Sequence, residues 1–119
     1  MIGSNYDITT SARQHTILSD EPEEHGGDDL APNPKELFLG SLASCKLITM
    51  RMVARRRQWD TEGMSITLTL NPEEKRTVIE QTISFPAHLS EEQQVKLREI
   101  SHKCPVARMV TGEVVITDH

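Results

Sequence analysis

Aromatic residues are scarce in this chain: one Trp, one Tyr and two Phe among 119 residues. Its core must therefore be aliphatic and methionine-rich, and it offers no row of ring faces on which nucleic-acid bases could stack. Excess positive charge is also missing. Thirteen Lys and Arg stand against 18 Asp and Glu, a net charge of −5, which argues against nucleic acid or an anionic membrane as the main partner. The one Arg-rich stretch, "RMVARRR", holds Arg51, Arg55, Arg56 and Arg57. It falls at the expected C-terminal end of a helix, where cations suit the helix dipole and face solvent.

The start, "MIGSNYDITT", lacks a basic segment followed by an apolar run, so no signal peptide is expected. The longest apolar stretch, residues 37–54, is interrupted by Lys46 and Arg51, which opposes a membrane span. The expectation is a cytoplasmic protein with one domain over residues 1–119, without a permanent structural disulfide. Only two cysteines occur, Cys45 and Cys104. There is no CxxC or HExxH spacing, and His15, His25, His88, His102 and His119 are scattered, so no metal site is expected.

Local patterns order the elements. "NYDITT" and "RQHTILSD" read as a hairpin, and residues 21–34, rich in Pro, Gly and acid, as a loop. A helix begins where Asn33 can cap, Pro34 fits the first helical position and Glu36 can reach back to the cap. Apolar positions then recur at Leu37, Phe38, Leu42, Cys45, Ile48, Thr49, Met52 and Val53, while Leu39, Leu47 and Met50 lie off that stripe. So wide an apolar surface predicts a central helix or one that packs a partner subunit. "MSITLTL" alternates with Met64, Ile66, Leu68 and Leu70 on one face, "NPEEK" is a turn, and "TVIEQTISFP" is another strand. Ser90 and Gln93 open a second helix that Pro105 stops, "VARM" makes a short turn, and "EVVITD" reads as a last strand. The order ββ–α–ββ–α–β predicts an α+β fold with antiparallel strands.

The cysteines carry the chemistry. Cys45 lies deep in the first helix, beyond reach of its N-terminal dipole, and an unpaired cysteine there is commonly a small core hydrophobe. Cys104 precedes Pro105. If a helical turn starts there, Cys104 is its cap, and free N–H groups would favour a thiolate. A disulfide between the two would close a loop of about 60 residues, worth roughly 4 kcal/mol in the chain-entropy model. Inert thiols, a bridge and a transient redox pair all remain open on the residues alone.

The stretches "PNPKELFLGSLASCKLITMRMVARRR" and "LREISHKCPVARM", with His15, Asp20, Glu21, Pro22, Gly26 and Gly27 upstream, resemble the OsmC/Ohr family of thiol-dependent peroxidases. The resemblance implies an intertwined homodimer in which curved antiparallel sheet wraps long central helices, with active sites at the dimer interface. It implies that Cys45 attacks an organic hydroperoxide and becomes a sulfenic acid, and that Cys104 condenses with it to a disulfide. An external dithiol, often lipoyl-linked, restores the pair, so no bound cofactor or metal is implied. One position departs from the pattern. The family's peroxidases carry a carboxylate directly after "NP" that orients an arginine over the thiolate, and here that residue is Lys35. Glu36 is one step on, about 100° around the helix. Arg13, Lys35, Glu36 and Arg51 are thus the candidate activating or orienting residues. The rival to an enzyme is an OsmC-like module that binds a small apolar ligand at the dimer interface.

Overall fold

The local signals above become structure first in the N-terminal hairpin. A computed structural model describes residues 5–119, and the chain divides into two units, Met1–Gly40 and Ser41–His119. In the first unit, strands β1 (Ile8–Ala12) and β2 (His15–Ser19) pair antiparallel, from Ile8 opposite Ser19 to Ala12 opposite His15. Arg13 turns the hairpin at φ 55°. The following loop holds one 3-10 turn, Glu23–His25, closed by Gly26 at φ 89°. Helix α1 (Pro34–Arg56) then starts as its sequence predicts. The Glu36 amide donates to Asn33 Oδ1 at 2.8 Å, and the Asn33 amide donates to Glu36 Oε1 at 2.9 Å, so two otherwise orphaned donors are satisfied reciprocally.

In the second unit α1 continues to Arg56, followed by the hairpin β3 (Ser65–Pro72) and β4 (Thr77–Ser84), with Ser65 opposite Ser84 and Pro72 opposite Thr77. Helix α2 (Glu91–Ser101) opens on the expected capping box, with the Gln93 amide donating to Ser90 Oγ at 3.1 Å. Its C-terminal cap, His102, lies three residues before the Pro105 that opens α3 (Pro105–Thr111). The class is α+β with antiparallel strands, as expected, and the described residues form three helices.

The core of this unit is aliphatic and rich in methionine. Met50, Ala54, Met64, Ile83, Leu89 and Leu97 are buried together, with Leu47, Trp59, Ile66, Phe85 and Ile100 packed around them. Removing a fully buried side chain of this kind typically costs about 2–5 kcal/mol, and Met50 and Leu97 are both at 0% exposure.

Four expectations change. The buried row of α1 in this unit is Leu42, Lys46, Met50 and Ala54, whereas Ile48 and Met52 are exposed. A helix apolar over most of its circumference has no single face that periodicity can select; contact with the hairpin and α2 decides. The final strand at "EVVITD" is not formed. Residues 113–119 lack regular structure, and Val114, Val115 and Ile116 are exposed. A strand exists only by pairing, β3 and β4 pair with each other, and among the described residues no other strand joins their sheet. The expected turn at "VARM" is instead part of helix α3. By length and composition α1 is also apolar enough to cross a membrane, at a mean hydropathy of 1.4, so Lys46 and Arg51 exclude less than the sequence suggested. Here its central row serves the protein core.

Candidate functional site

The two cysteines, far apart in sequence, meet in the second unit. Cys45 stands on α1 beside the buried row and is partly exposed. Cys104 is fully buried. They share one apolar cluster with Leu42, Ala107, Leu68, Ile79 and Val106, and the thiols lie close enough to interact directly. Cys104 is the cap of α3, where its Sγ accepts a hydrogen bond from the Ala107 amide at 3.3 Å. Pro105 takes the first helical position, as "CPV" predicts.

The cap amide does favour the Cys104 thiolate, but it does not prevail. Burial pushes its pKa above the ordinary thiol value, because an apolar site disfavours the charged form. The Ala107 amide and the charge of Lys46 oppose that push without outweighing it, while the neighbouring Cys45 adds to it. Cys104 is therefore a protonated, shielded thiol beside a more accessible one.

Lys46 is the site residue that sequence reasoning missed. It directly follows Cys45, is only 5% exposed, and donates from Nζ to the Ser101 carbonyl at 3.0 Å. Ser101 is a buried node. Its Oγ donates to the Arg98 carbonyl at 2.6 Å and accepts from Gln81 Nε2 at 3.1 Å, so α1, α2 and β4 converge on it. The overlooked signal was spacing: Leu42, Lys46, Met50 and Ala54 stand at i, i+4 intervals, with the lysine in the middle of an otherwise apolar row. Beside the cysteine cluster opens a cleft of about 370 Å³, walled by Leu42, Ile79, Ala107 and Val110, with Lys46 in its lining. A larger hollow of about 510 Å³ lies between Arg57, Trp59 and α2 and shares no residue with the cysteine cluster; neither cysteine lines either space.

The other candidates are placed elsewhere. Arg51 is exposed and lines a separate hollow with Arg55 and Trp59. Arg57 stacks over Trp59 at 5.2 Å. In the first unit, Arg13 is the exposed turn residue, Lys35 is exposed in the first turn of α1, and Glu36 is engaged in the helix cap.

The upstream motif forms a clasp within the first unit. Asp20 is buried, with Oδ1 accepting from the Glu21 amide at 2.7 Å and Oδ2 from the Leu30 and Asp28 amides at 3.1 and 3.3 Å. Gly27 is required beside it, since a Cβ there would fall 2.0 Å from the Glu21 carbonyl oxygen. The Leu30 hydrogen bond foremost, helped by those of Glu21 and Asp28, holds the Asp20 carboxyl below its ordinary pKa against the effect of burial. A lowered pKa means that the clasp contributes stability above the ordinary carboxylate range and loses it as pH falls through the folded-state value. Hydrogen exchange should therefore show the Leu30 amide protected at neutral pH, with protection lost in acid below about pH 4. Asp20→Asn should lower that protection at neutral pH and flatten its acid dependence. An unchanged profile in the variant would contradict the clasp.

Comparison with known proteins agrees with this architecture. The family model for OsmC-like proteins matches residues 26–118. A structure from Psychrobacter arcticus, described as a candidate osmotic stress induced and detoxification response protein, is 23% identical. It covers 91% of this chain and 89% of its own, with a TM-score of 0.70. An OsmC-like protein from Mycoplasma pneumoniae is 20% identical over 94% of this chain and 84% of its own, with a TM-score of 0.69. A candidate organic hydroperoxide resistance protein from Vibrio cholerae, with captopril bound in one of its active sites, is 21% identical. It covers 94% of this chain and 88% of its own, with a TM-score of 0.61. At these identities the likenesses speak for the fold. No curated protein matches. With the family model spanning most of its length, this chain belongs to the OsmC-like protein family.

Proposed function

We propose that this chain reduces organic hydroperoxides with Cys45 as the attacking thiol and Cys104 as its partner. The observation that carries this reading is the pairing of a partly exposed thiol with a buried one in a shared apolar cluster. An oxidant reaches the first more readily, and the second is within reach of the product.

The chemistry balances as follows. The Cys45 thiolate attacks the terminal oxygen of R–O–O–H. An S–O bond forms, the O–O bond breaks, and the alkoxide leaves and takes a proton to become the alcohol. Cys45 is now a sulfenic acid. The Cys104 sulfur attacks the Cys45 sulfur, its thiol proton is given up, and water leaves as the disulfide forms. An external dithiol then reduces the disulfide by two exchanges and is itself oxidised. The raised pKa of Cys104 fits this division of labour, because a thiol that stays protonated is the poorer nucleophile toward peroxide.

Family membership and the named neighbours support the substrate class. A protein from Legionella pneumophila named as an organic hydroperoxide resistance protein shares the fold at a TM-score of 0.53, and the V. cholerae relative holds a small organic molecule in an active site. The apolar cleft walls suit organic substrates better than hydrogen peroxide. A cytoplasmic homodimer of one OsmC-like domain per chain completes the proposal. Exposed Ile48 and Met52 on α1 and the unpaired Val114, Val115 and Ile116 supply apolar surface for a second copy. Sedimentation equilibrium should return the dimer mass; a stable monomer at micromolar concentration would contradict it.

A second reading, a ligand-binding module without turnover, draws on one observation. Lys35 occupies the position at which the resembling peroxidases carry a carboxylate, and it is exposed. Turnover of cumene hydroperoxide with dihydrolipoamide separates the two. The enzyme reading expects reduction by the wild type, none by Cys45→Ser, and loss of multiple turnover in Cys104→Ala. Wild-type rates in Cys45→Ser would sink the assignment.

A further inference from the structure

Lys46 leaves a chemical capacity unused by the sulfur reactions. The residue is only 5% exposed, and its Nζ donates one hydrogen bond, to the Ser101 carbonyl. An ammonium has three donors, so two remain. Among the described residues the ion pairs join Arg76 to Glu73, His88 to Asp60 and Lys96 to Glu99, and none of them includes Lys46. Buried charges are ordinarily paired. Here the partner is a single neutral carbonyl.

The surroundings define what could supply the missing charge. The cleft that Lys46 lines is apolar along Leu42, Ile79, Ala107 and Val110. Its other polar groups are mostly spent: Gln81 Nε2 donates to Ser101 Oγ, and Thr111 Oγ1 donates to the Ala107 carbonyl at 2.7 Å. His102 contributes an exposed imidazole to the lining. The strongest unused polar group is thus one cation in an apolar cleft. That combination matches a molecule with an apolar body and a single negative charge. One ammonium also suits a carboxylate monoanion better than a phosphate dianion, which needs more donors. At about 370 Å³ the cleft is near the small end of ligand pockets, enough for one ring or a short chain. Leu42 and Ala107 of this lining also belong to the cysteine cluster, and Ile79 packs against it, so the cleft and the thiols share a wall.

We infer that Lys46 binds carboxylate and that the cleft selects small organic hydroperoxides bearing one. This deepens the hydroperoxide reading and rests on it for the identity of the reacting group. The carboxylate does not react. It fixes which end of the substrate faces Lys46.

The test compares cumene hydroperoxide with its para-carboxylated analogue, using the full chain and dihydrolipoamide as reductant. A charge-assisted hydrogen bond of ordinary strength favours the carboxylated substrate in KM by about tenfold or more. Lys46→Met should bring the ratio of the two kcat/KM values close to one, whatever the absolute rates, and Lys46→Arg should retain part of the preference. Replacing a buried charge by an apolar side chain of similar size commonly leaves stability intact, and the wild-type ratio is decisive without any variant. Equal wild-type values for the two substrates, or a preference that survives Lys46→Met, would overturn the inference while leaving the peroxidase reading in place. A parallel NMR titration with 4-isopropylbenzoate and 4-isopropylbenzyl alcohol reads binding alone. Lys46-dependent binding of the acid without turnover of either hydroperoxide would retain the carboxylate site and sink the peroxidase reading. Absence of any preference for the acid in that titration would count against the site.

Discussion

A single buried ammonium holds the thiol site together. Lys46 Nζ reaches from the middle of α1 to the last carbonyl of α2, and the Ser101 hydroxyl ties β4 into the same point through Gln81. Three residues beyond Ser101, Cys104 caps α3. The junction that Lys46 grips is therefore the one that sets Cys104 against Cys45. Lysine is suited to this by its reach. Its long stem can lie along the apolar row of Leu42 and Met50 while its head finds polar company. Alone, a buried charge with so little pairing is an expensive way to fasten a helix, which is why its second use, toward a ligand, merits weight.

Four influences meet at Cys104, and their balance organises the chemistry. Burial raises its pKa and Cys45 adds to that, whereas the Ala107 amide and the Lys46 charge lower it. Burial wins, so the thiol stays neutral while it waits for a partner. When the Cys45–Cys104 disulfide of the proposed cycle is reduced, the same amide and ammonium are in place to receive the departing sulfur. Access directs an attacking dithiol to the more exposed sulfur of Cys45, while the raised pKa of Cys104 makes its departure the slower step. The asymmetry of burial thus separates the two roles twice, once in oxidation and again in reduction.

What could be read from the sequence was what depends on neighbours in the chain. The caps at Asn33 and Ser90, both hairpins and the alternation of Met64, Ile66, Leu68 and Leu70 are local, and each is present. Pro105 marks both the stop of α2 and the start of α3, although the composition of "VARM" suggests only a turn. The failures are tertiary. Nothing local decides which side of a nearly all-apolar helix is buried, so periodicity does not single out the buried row of Leu42, Lys46, Met50 and Ala54. "EVVITD" has strand composition but no strand beside it among the described residues. The approach of Cys45 to Cys104 spans too much chain for spacing to reveal it, and only the family resemblance anticipated it. Lys46 leaves a trace in the sequence, a lysine at i, i+4 spacing within the row of Leu42, Met50 and Ala54.

The central claim is that Cys45 and Cys104 act as one redox unit. Intact-protein mass spectrometry after one equivalent of cumene hydroperoxide, without reductant, tests it most directly. The account predicts that the wild type loses two hydrogens, about 2 Da, and that peptide mapping finds Cys45 joined to Cys104, while Cys104→Ala instead gains one oxygen at Cys45. A wild-type protein that gains oxygen on Cys45 without forming the cross-link, or that keeps both thiols unchanged, would contradict it.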